Sequence, residues 1–172
     1  MELYNRGYQT TALEDWVTNF YTRMNILHPR QINEEHIARI YNIFINRWKL
    51  PSFHKVNGRF RGIYIDIRKP KDIQREIFFH ELCHILRHMG VQTMMPAAFR
   101  ELQEWDARHF TMYAAIPRHM LKFVDFNDEY VIEQMASLFK VTPELCEERL
   151  EQIQNRCMSF SYVAESRHKY EV

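Results

Sequence analysis

Apolar and polar residues alternate with a helical period along most of the chain. Apolar residues recur at every third or fourth position in six segments, and this spacing predicts amphipathic helices. Thr11 and Glu14 form a capping-box pair at the start of the first helix, and Asn33 begins the second. The six predicted helices cover residues 10–27, 32–44, 72–89, 97–116, 128–140 and 142–156.

A strand period replaces the helical one between the second and third helices. Residues 60–67 alternate as in a half-buried strand, with Ile63, Ile65 and Ile67 on one face. A short strand is also predicted at residues 45–50. The stretch between the two strands is expected to be a loop.

The order of the elements predicts an α+β fold, a mostly helical single domain of residues 1–172 with a small antiparallel sheet. No internal repeat or Gly/Ser-rich linker divides it. We expect N-terminal helices and the first strand at about 1–58, a strand and two helices at 59–117, a helical pair at 118–158, and a polar, partly loose tail at 159–172.

Composition excludes several classes of protein. The chain of 172 residues is 46% hydrophobic and 26% charged, which is typical of a globular domain rather than a disordered one. A net charge of +1 does not favour general nucleic-acid binding. No segment is apolar enough for a membrane span or a secretory signal. Three cysteines, an odd number, suggest free thiols and a cytoplasmic location.

The third predicted helix contains the pattern H-E-x-x-H in His80, Glu81 and His84. Residues four apart lie one turn apart on one helical face, so two imidazoles can reach one zinc ion. Glu81 points to the flank of that face, where it can contact the attacking water without binding the metal. The helix is predicted to end at Met89, with Gly90 as its cap. An apolar stripe anchors another face: Phe78, Leu82, Ile85 and Met89.

His88 continues the four-residue spacing, but geometry argues against it as a ligand. His80 and His88 are about 12 Å apart along a helix axis. Zinc–nitrogen bonds are about 2.0–2.1 Å long, so one ion cannot easily bind both. We expect His88 to be a buried, hydrogen-bonded side chain that supports the site.

The fourth predicted helix offers a third ligand in Glu104, 20 residues after His84. Asp106 lies about 200° around the helix from Glu104, so the two are not expected to share a metal. Glu101 is on the same side as Glu104 but a turn earlier. All three could instead be solvated charges, and spacing alone does not decide. Glu104 heads a stripe of small residues that would allow close helix packing: Ala107, Thr111 and Ala114.

The two helices together resemble the ImmA/IrrE-type metallopeptidases, a bacterial family often encoded by prophages and integrative elements. That family typically shows F-x-x-A-H-E-L-G-H-x-L-L-H followed by E-x-x-A-[ND]-x-F-A-A-x-L-L-M-P. This chain has REIFFHELCHILRH and then EWDARHFTMYAAIP, in the same order and spacing. A weaker resemblance continues through VIEQMASLFKVTPELCEERL, so that residues 60–152 are covered.

The resemblance implies a zincin-like, gluzincin-type domain that binds one zinc ion per chain. Carried over residue by residue, it implies that His80, His84 and Glu104 are the zinc ligands and that Glu81 is the catalytic base. His88 matches the trailing histidine of the first motif.

Three features depart from the family pattern, and one is the segment TMYA, which replaces the usual small residues after Phe110. Cys83 stands where glycine is usual, and its thiol could bind metal, but it lies off the face of the two histidines. We interpret Cys83 as a small buried filler. Arg108 occupies the position four residues past the ligand glutamate, where thermolysin-like enzymes often have aspartate, so the surroundings of the site must differ.

Peptide hydrolysis also needs a donor for the oxyanion of the transition state. The sequence offers three candidates without choosing among them: His109, Tyr113 and His119. The strand of residues 62–67 precedes the motif helix. If it lay at a sheet edge, it could pair with an extended substrate; otherwise it covers the core.

The C-terminal pair of helices, with its turn near Thr142, resembles a helix-turn-helix. Residues 128–152 carry seven acidic side chains against Lys140 and Arg149, whereas a phosphate-binding face should be basic. We therefore expect no direct nucleic-acid binding, and interpret this pair as a scaffold or a partner-docking segment.

Two function classes follow. The first is a zinc endopeptidase whose substrate, by resemblance, is a phage or mobile-element repressor of the helix-turn-helix type, cleaved to relieve repression. The second is a non-catalytic, zinc-containing regulatory protein that docks a transcription factor. An intact Glu81 favours the enzyme, because a structural site does not need a base.

Overall fold

The computed structural model describes residues 8–88 and 95–168, with side chains as far as residue 157. Within these ranges, six α-helices and three β-strands follow in the order α1 (Ala12–Arg23), α2 (Glu34–Ile40), β1 (Phe44–Trp48), β2 (Phe53–Asn57), β3 (Phe60–Asp66), α3 (Lys71–Arg87), α4 (Ala97–Ala115), α5 (Val131–Phe139) and α6 (Pro143–His168). Short 3₁₀ segments occupy Pro29–Gln31 and Arg118–Phe123. The mostly helical α+β prediction is confirmed.

Local capping sets the ends of the first two helices. Thr11 and Glu14 form the predicted capping box, and the Asn33 side chain accepts a hydrogen bond from the backbone of α2. Both helices end earlier than predicted. Asn25 and Asn42 adopt positive φ angles of 55° and 54°, a left-handed conformation that asparagine tolerates but that ends a helix.

The sheet is mixed rather than antiparallel, which corrects the prediction. Its strand order is β1-β3-β2, with β1 parallel and β2 antiparallel to β3. Two reversals separate β1 from β3, so these strands run in the same direction and can pair only in parallel. Strand β2 was not predicted; it forms a hairpin with β3 through Gly58, whose φ of 57° suits glycine in such a turn.

The two faces of the sheet differ. Ile63 and Ile65 are fully buried on the side that faces α3, whereas Ile67 lies beyond the strand and is 39% exposed, contrary to the predicted stripe. A Cβ at Gly62 would come within 3.0 Å of the Phe60 ring, which folds over this position. The outer face carries contacting aromatic rings from all three strands: Phe44, Trp48, Phe53, Phe60 and Tyr64.

Strand β3 lies in the centre of the sheet, so it cannot offer an edge to a substrate. Both of its sides are already paired, one with β1 and one with β2. The strand instead has the second role considered from the sequence, which is to cover the core above α3. The edge strand that packs against α3 is β2 instead.

Helix α4 lies in the middle of the helical core. Its predicted stripe of small residues is buried, with Ala107 and Ala114 fully inaccessible and Thr111 7% exposed. The hydroxyl of Tyr21 in α1 donates a 2.6 Å hydrogen bond to the carbonyl of Ala114. The apolar stripe of α3 is buried as well, at Phe78, Leu82 and Ile85.

Two predicted boundaries of the helices change. Helix α3 ends at Arg87, and the predicted end Met89 and cap Gly90 lie outside the described residues. Helix α6 continues to His168 through the predicted tail, since residues 159–168 contain no glycine or proline to end it. None of the helices in the described ranges has both the length and the apolarity to cross a membrane.

A buried ionic cluster joins α1 to α6. Glu14 and Arg149 are both fully buried and form a 2.7 Å ion pair, and Arg156 and the Tyr8 hydroxyl also bond to the Glu14 carboxylate. Burial opposes ionisation, but Arg149 and the Tyr8 hydrogen bond still hold the pKa of Glu14 below its usual value. Arg149 is therefore not available to a nucleic acid.

Replacing Glu14 should destabilise the protein more than replacing Arg149. Glu14→Gln leaves two arginines beside a neutral group, whereas Arg149→Met leaves Glu14 paired with Arg156. We expect a loss of about 3–5 kcal/mol for Glu14→Gln in urea unfolding at pH 7. Because the folded-state pKa of Glu14 is lowered, this contribution is complete above the unfolded-state value of about 4.3 and is lost as pH falls from there through the folded-state pKa.

The exposed pair of Arg47 and Glu35 provides the control. Glu35→Gln should cost at most about 1 kcal/mol, because water already screens this pair. Equal losses for Glu14→Gln and Glu35→Gln would show that the buried cluster does not hold α6 against α1.

Candidate metal centre

His80 and His84 lie one turn apart on α3 and direct their rings to the same point. Their Nε2 atoms are 3.2 Å apart. The His84 side chain is 3% exposed and that of His80 is 33% exposed, so one ring is embedded in the core and the other borders solvent. The helix therefore presents two imidazole nitrogens to one place, as the spacing predicts.

Glu104 of α4 completes the group. Its Oε2 lies 3.2 Å from His80 Nε2, and its Oε1 lies 3.4 Å from His84 Nε2. A tetrahedral zinc ion with bonds of about 2.0–2.1 Å holds its ligand atoms about 3.3–3.4 Å apart. The donor types and the spacing of the three side chains fit a single zinc ion. The Glu104 side chain is 51% exposed, so the group is open on one side.

The electrostatic surroundings keep His84 in the form that binds metal. Burial, followed by the neighbouring His80, His54 and His88, lowers the pKa of His84 to about 3. The ring is therefore neutral at physiological pH. A neutral imidazole has a lone pair for a metal ion, whereas a protonated one does not.

His88 is partly buried and is hydrogen-bonded at both ring nitrogens. Its Nδ1 lies 2.9 Å from His84 Nδ1, and its Nε2 lies 3.0 Å from Oδ2 of Asp106. Asp106 accepts only, so His88 donates from Nε2 and accepts at Nδ1 from His84. His84 then keeps its Nε2 lone pair for a metal, which is the usual way that outer partners fix a ligand histidine.

Asp106 anchors this relay and is not positioned with Glu104. Burial opposes its ionisation, but hydrogen bonds from Arg87 and His88 hold the pKa of Asp106 below its usual value. Arg87 donates from Nε at 2.9 Å and from Nη2 at 3.2 Å. Asp106 is thus a charged support, and Glu101 is exposed on the first turns of α4.

Cys83 is fully buried, as predicted for a filler, and its thiol also donates a weak 3.6 Å hydrogen bond to Asp106. Burial and the charge of Asp106 raise the pKa of Cys83, so the thiol stays protonated. Cys83, His88 and Asp106 lie close enough together for metal binding. A protonated thiol and a carboxylate already bonded to Arg87 make this group a poor metal site.

Glu81 contacts a residue that the sequence reasoning missed. Nδ1 of His54 lies 2.7 Å from Oε2 of Glu81, and both side chains are mostly covered. The His54 ring also stacks on that of His84, with centres 4.9 Å apart and planes at 18°. His54 belongs to β2, and the strand was missed together with its side chain.

The three predicted oxyanion donors lie elsewhere. Tyr113 is nine residues after Glu104, about 180° around α4, and its hydroxyl bonds to Gln152 and Arg156. His109 is partly buried and packs on Trp105. His119 donates to the Ile26 carbonyl beside α1. The structure does not bring these side chains to the group of His80, His84 and Glu104.

A cavity of about 520 Å³ opens beside the two ligand candidates His80 and Glu104. Helices α3, α4 and α6 form its walls. Arg108, which departs from the family pattern, lines it and pairs with Glu148 of α6 at 2.6 Å. The wall also includes Glu76 and Glu144, so its charge is more negative than positive.

Comparison with known proteins identifies the family of the chain. The family model for the IrrE N-terminal-like domain, a peptidase family, matches residues 31–151. The chain is 36% identical over 145 residues to uncharacterized protein YqaB of Bacillus subtilis (strain 168), covering 83% of this chain and 84% of that protein. It is 33% identical over 153 residues to phage-like element PBSX protein XkdA of the same organism, covering 87% and 77%. No solved structure matches the chain.

Removing a proposed ligand should remove the metal. The purified protein should contain about one zinc per chain, and His80→Ala or Glu104→Ala should lose most of it because each deletes one of three donors. Metal analysis after dialysis measures this. Glu101→Ala, a matched change on the same helix, should keep zinc. Zinc retained by Glu104→Ala but lost from Glu101→Ala or Asp106→Ala would show that the third ligand is wrongly assigned.

The relay behind His84 should tune metal affinity without being essential to it. Asp106→Asn and His88→Gln should each weaken zinc binding by about 10- to 100-fold in a competition titration, because His84 loses its fixed orientation. Cys83→Ala should bind zinc like the wild type. A folded Cys83→Ala protein without zinc would contradict the filler interpretation.

Proposed function

Because the chain belongs to the IrrE N-terminal-like family of peptidases, we propose that it is a zinc-dependent endopeptidase. The observation that supports this most strongly is the convergence of His80, His84 and Glu104 at zinc-ligand distances. Glu81 lies nearby, bonded to the His54 ring that stacks on His84. Such an arrangement combines a metal site that is open on one side with a base, as peptide hydrolysis requires.

Each residue has a distinct role in the proposed reaction. Zinc bound here would lower the pKa of a coordinated water and polarise the scissile carbonyl. Glu81 would take a proton from the attacking water and deliver it to the leaving amine. His84, fixed by His88, would keep its lone pair directed at the metal. Glu104 would add negative charge while leaving the side toward solvent accessible.

The substrate would approach between the sheet edge and the cavity. Strand β2 is an edge strand beside α3, so an extended segment could pair with it through backbone hydrogen bonds. The cavity next to His80 would accept neighbouring side chains. Its glutamates outnumber its single arginine, which favours a neutral or basic segment.

We further propose that the substrate is a helix-turn-helix repressor of a phage or mobile element. XkdA, a similar protein, is a phage-like element protein, which suggests this genetic setting. Cleavage would relieve repression. The competing function is a regulatory protein that docks the same kind of repressor without cutting it, in which case zinc would have a structural role.

Glu81→Gln separates these two functions. Glutamine is close to glutamate in size but cannot accept the proton, and loss of a general base typically costs about 10²–10⁴ in rate. We expect a folded, zinc-loaded protein that no longer cleaves. The measurement is co-expression with a helix-turn-helix repressor from the same genetic element, following the repressor by blot and its target promoter with a reporter.

The matched control is Glu101→Gln, which makes the same chemical change at an exposed position of α4. It should cleave like the wild type. If Glu81→Gln relieves repression as well as wild type does, with the repressor intact on the blot, the protein is a docking regulator and the peptidase proposal is wrong.

A further inference from the structure

His54 reaches the site from a different element than the other site residues. It lies on β2 opposite Ile63 of β3, and Ile63 is fully buried on the side of the sheet that faces α3. Directly paired residues of neighbouring strands point to the same face. The His54 ring is therefore directed from the sheet toward α3, where it meets Glu81 and His84.

The contact with Glu81 assigns a direction to the hydrogen bond. An ionised carboxylate can only accept, so Nδ1 of His54 must carry the proton that it shares with Oε2 of Glu81. A carboxylate has two oxygens, and the second remains available to the attacking water. At 2.7 Å the bond is as short as charge-assisted bonds usually are.

A second contact fixes the plane of the His54 ring. The ring lies nearly parallel to that of His84, at 18°, with centres 4.9 Å apart. The relay to His88 and Asp106 holds His84 in turn. The orientation of His54 is thus set by strand β2 on one side and by a proposed metal ligand on the other, which leaves its Nδ1 directed at Glu81.

We infer that His54 is a positioning residue that holds Glu81 in the orientation from which it accepts the proton of the attacking water. This inference rests on the proposed function, in which Glu81 is the base. Proton transfer depends steeply on geometry, and a displacement of about 1 Å can cost about 10²-fold in rate. A glutamate side chain free to rotate would spend much of its time in other orientations.

Three substitutions of His54 distinguish positioning from simple packing. Asparagine places its amide N–H where Nδ1 lies, leucine removes the donor but keeps the bulk, and glutamine places its donor further out. His54→Leu should lower the single-turnover cleavage rate of the purified repressor by about 10- to 100-fold at unchanged half-saturating concentration. His54→Asn should largely restore the rate, and His54→Gln should not.

His36→Leu, the same change at an exposed position of α2, is the control and should cleave like the wild type. Rates are compared per zinc-loaded, folded molecule. If His54 only filled space, His54→Leu, which keeps the bulk, would cleave like the wild type, and the smaller asparagine would give no selective rescue of the rate. If His54→Leu cleaves as fast as wild type, the inference is wrong while the proposed peptidase stands.

Nitrogen-15 NMR of the histidine rings tests the contact without any cleavage. His54 should show a protonated Nδ1 whose resonance shifts in Glu81→Ala but not in Glu101→Ala. If this shift is observed in a protein that cleaves no repressor, the hydrogen bond from His54 to Glu81 is supported and the peptidase proposal fails. A proton on Nε2, unaffected by Glu81→Ala, would overturn the inference whatever the activity.

Discussion

Two helices can share one metal ion only if their axes lie close together, and the packing of α3 against α4 meets this constraint. The glutamate side chain is short, yet the two carboxylate oxygens of Glu104 lie within 3.4 Å of the Nε2 atoms of His80 and His84. Ala107 and Thr111, one and two turns further along α4, are small and buried at the core. A larger side chain at Ala107 would force the helices apart and separate the carboxylate from the imidazoles.

The same packing places a support behind the site. Asp106 leaves α4 in a different direction from Glu104 and reaches Arg87 and His88 on the last turn of α3 and just beyond it. Hydrogen bonds then pass from Asp106 through His88 to His84. Because each member has a determined donor or acceptor role, the relay leaves one lone pair of His84 for a metal. One helix pair therefore supplies both the proposed ligands and their orientation.

Local sequence patterns predicted the parts of the structure that depend on local physics. Helical periodicity located the six α-helices of the described residues, and the four-residue spacing placed His80 and His84 on one face. Glu104 needed the resemblance to a family, since spacing alone did not distinguish it from Glu101. The buried pair of Glu14 and Arg149 was not predicted, because its partners are 135 residues apart and nothing local marks either as buried.

The wrong predictions about the sheet and its strands have a common physical origin in β2. Strand β2 is five residues long and mostly exposed, so it lacks the apolar alternation that reveals a half-buried strand. Without β2, the sheet was predicted as antiparallel, β3 was left as a candidate edge strand, and His54 was not considered.

The candidate oxyanion donors were selected by residue type along α4 and the segment after it. Helical geometry turns one of them, Tyr113, to the opposite side of α4 from Glu104.

Diffraction from crystals of the zinc-loaded protein, recorded above and below the zinc absorption edge, tests the central claim most directly. We expect one anomalous peak about 2.0–2.1 Å from Nε2 of His80, Nε2 of His84 and a carboxylate oxygen of Glu104. A peak among Cys83, His88 and Asp106, or none in a protein that analysis shows to contain zinc, would contradict it.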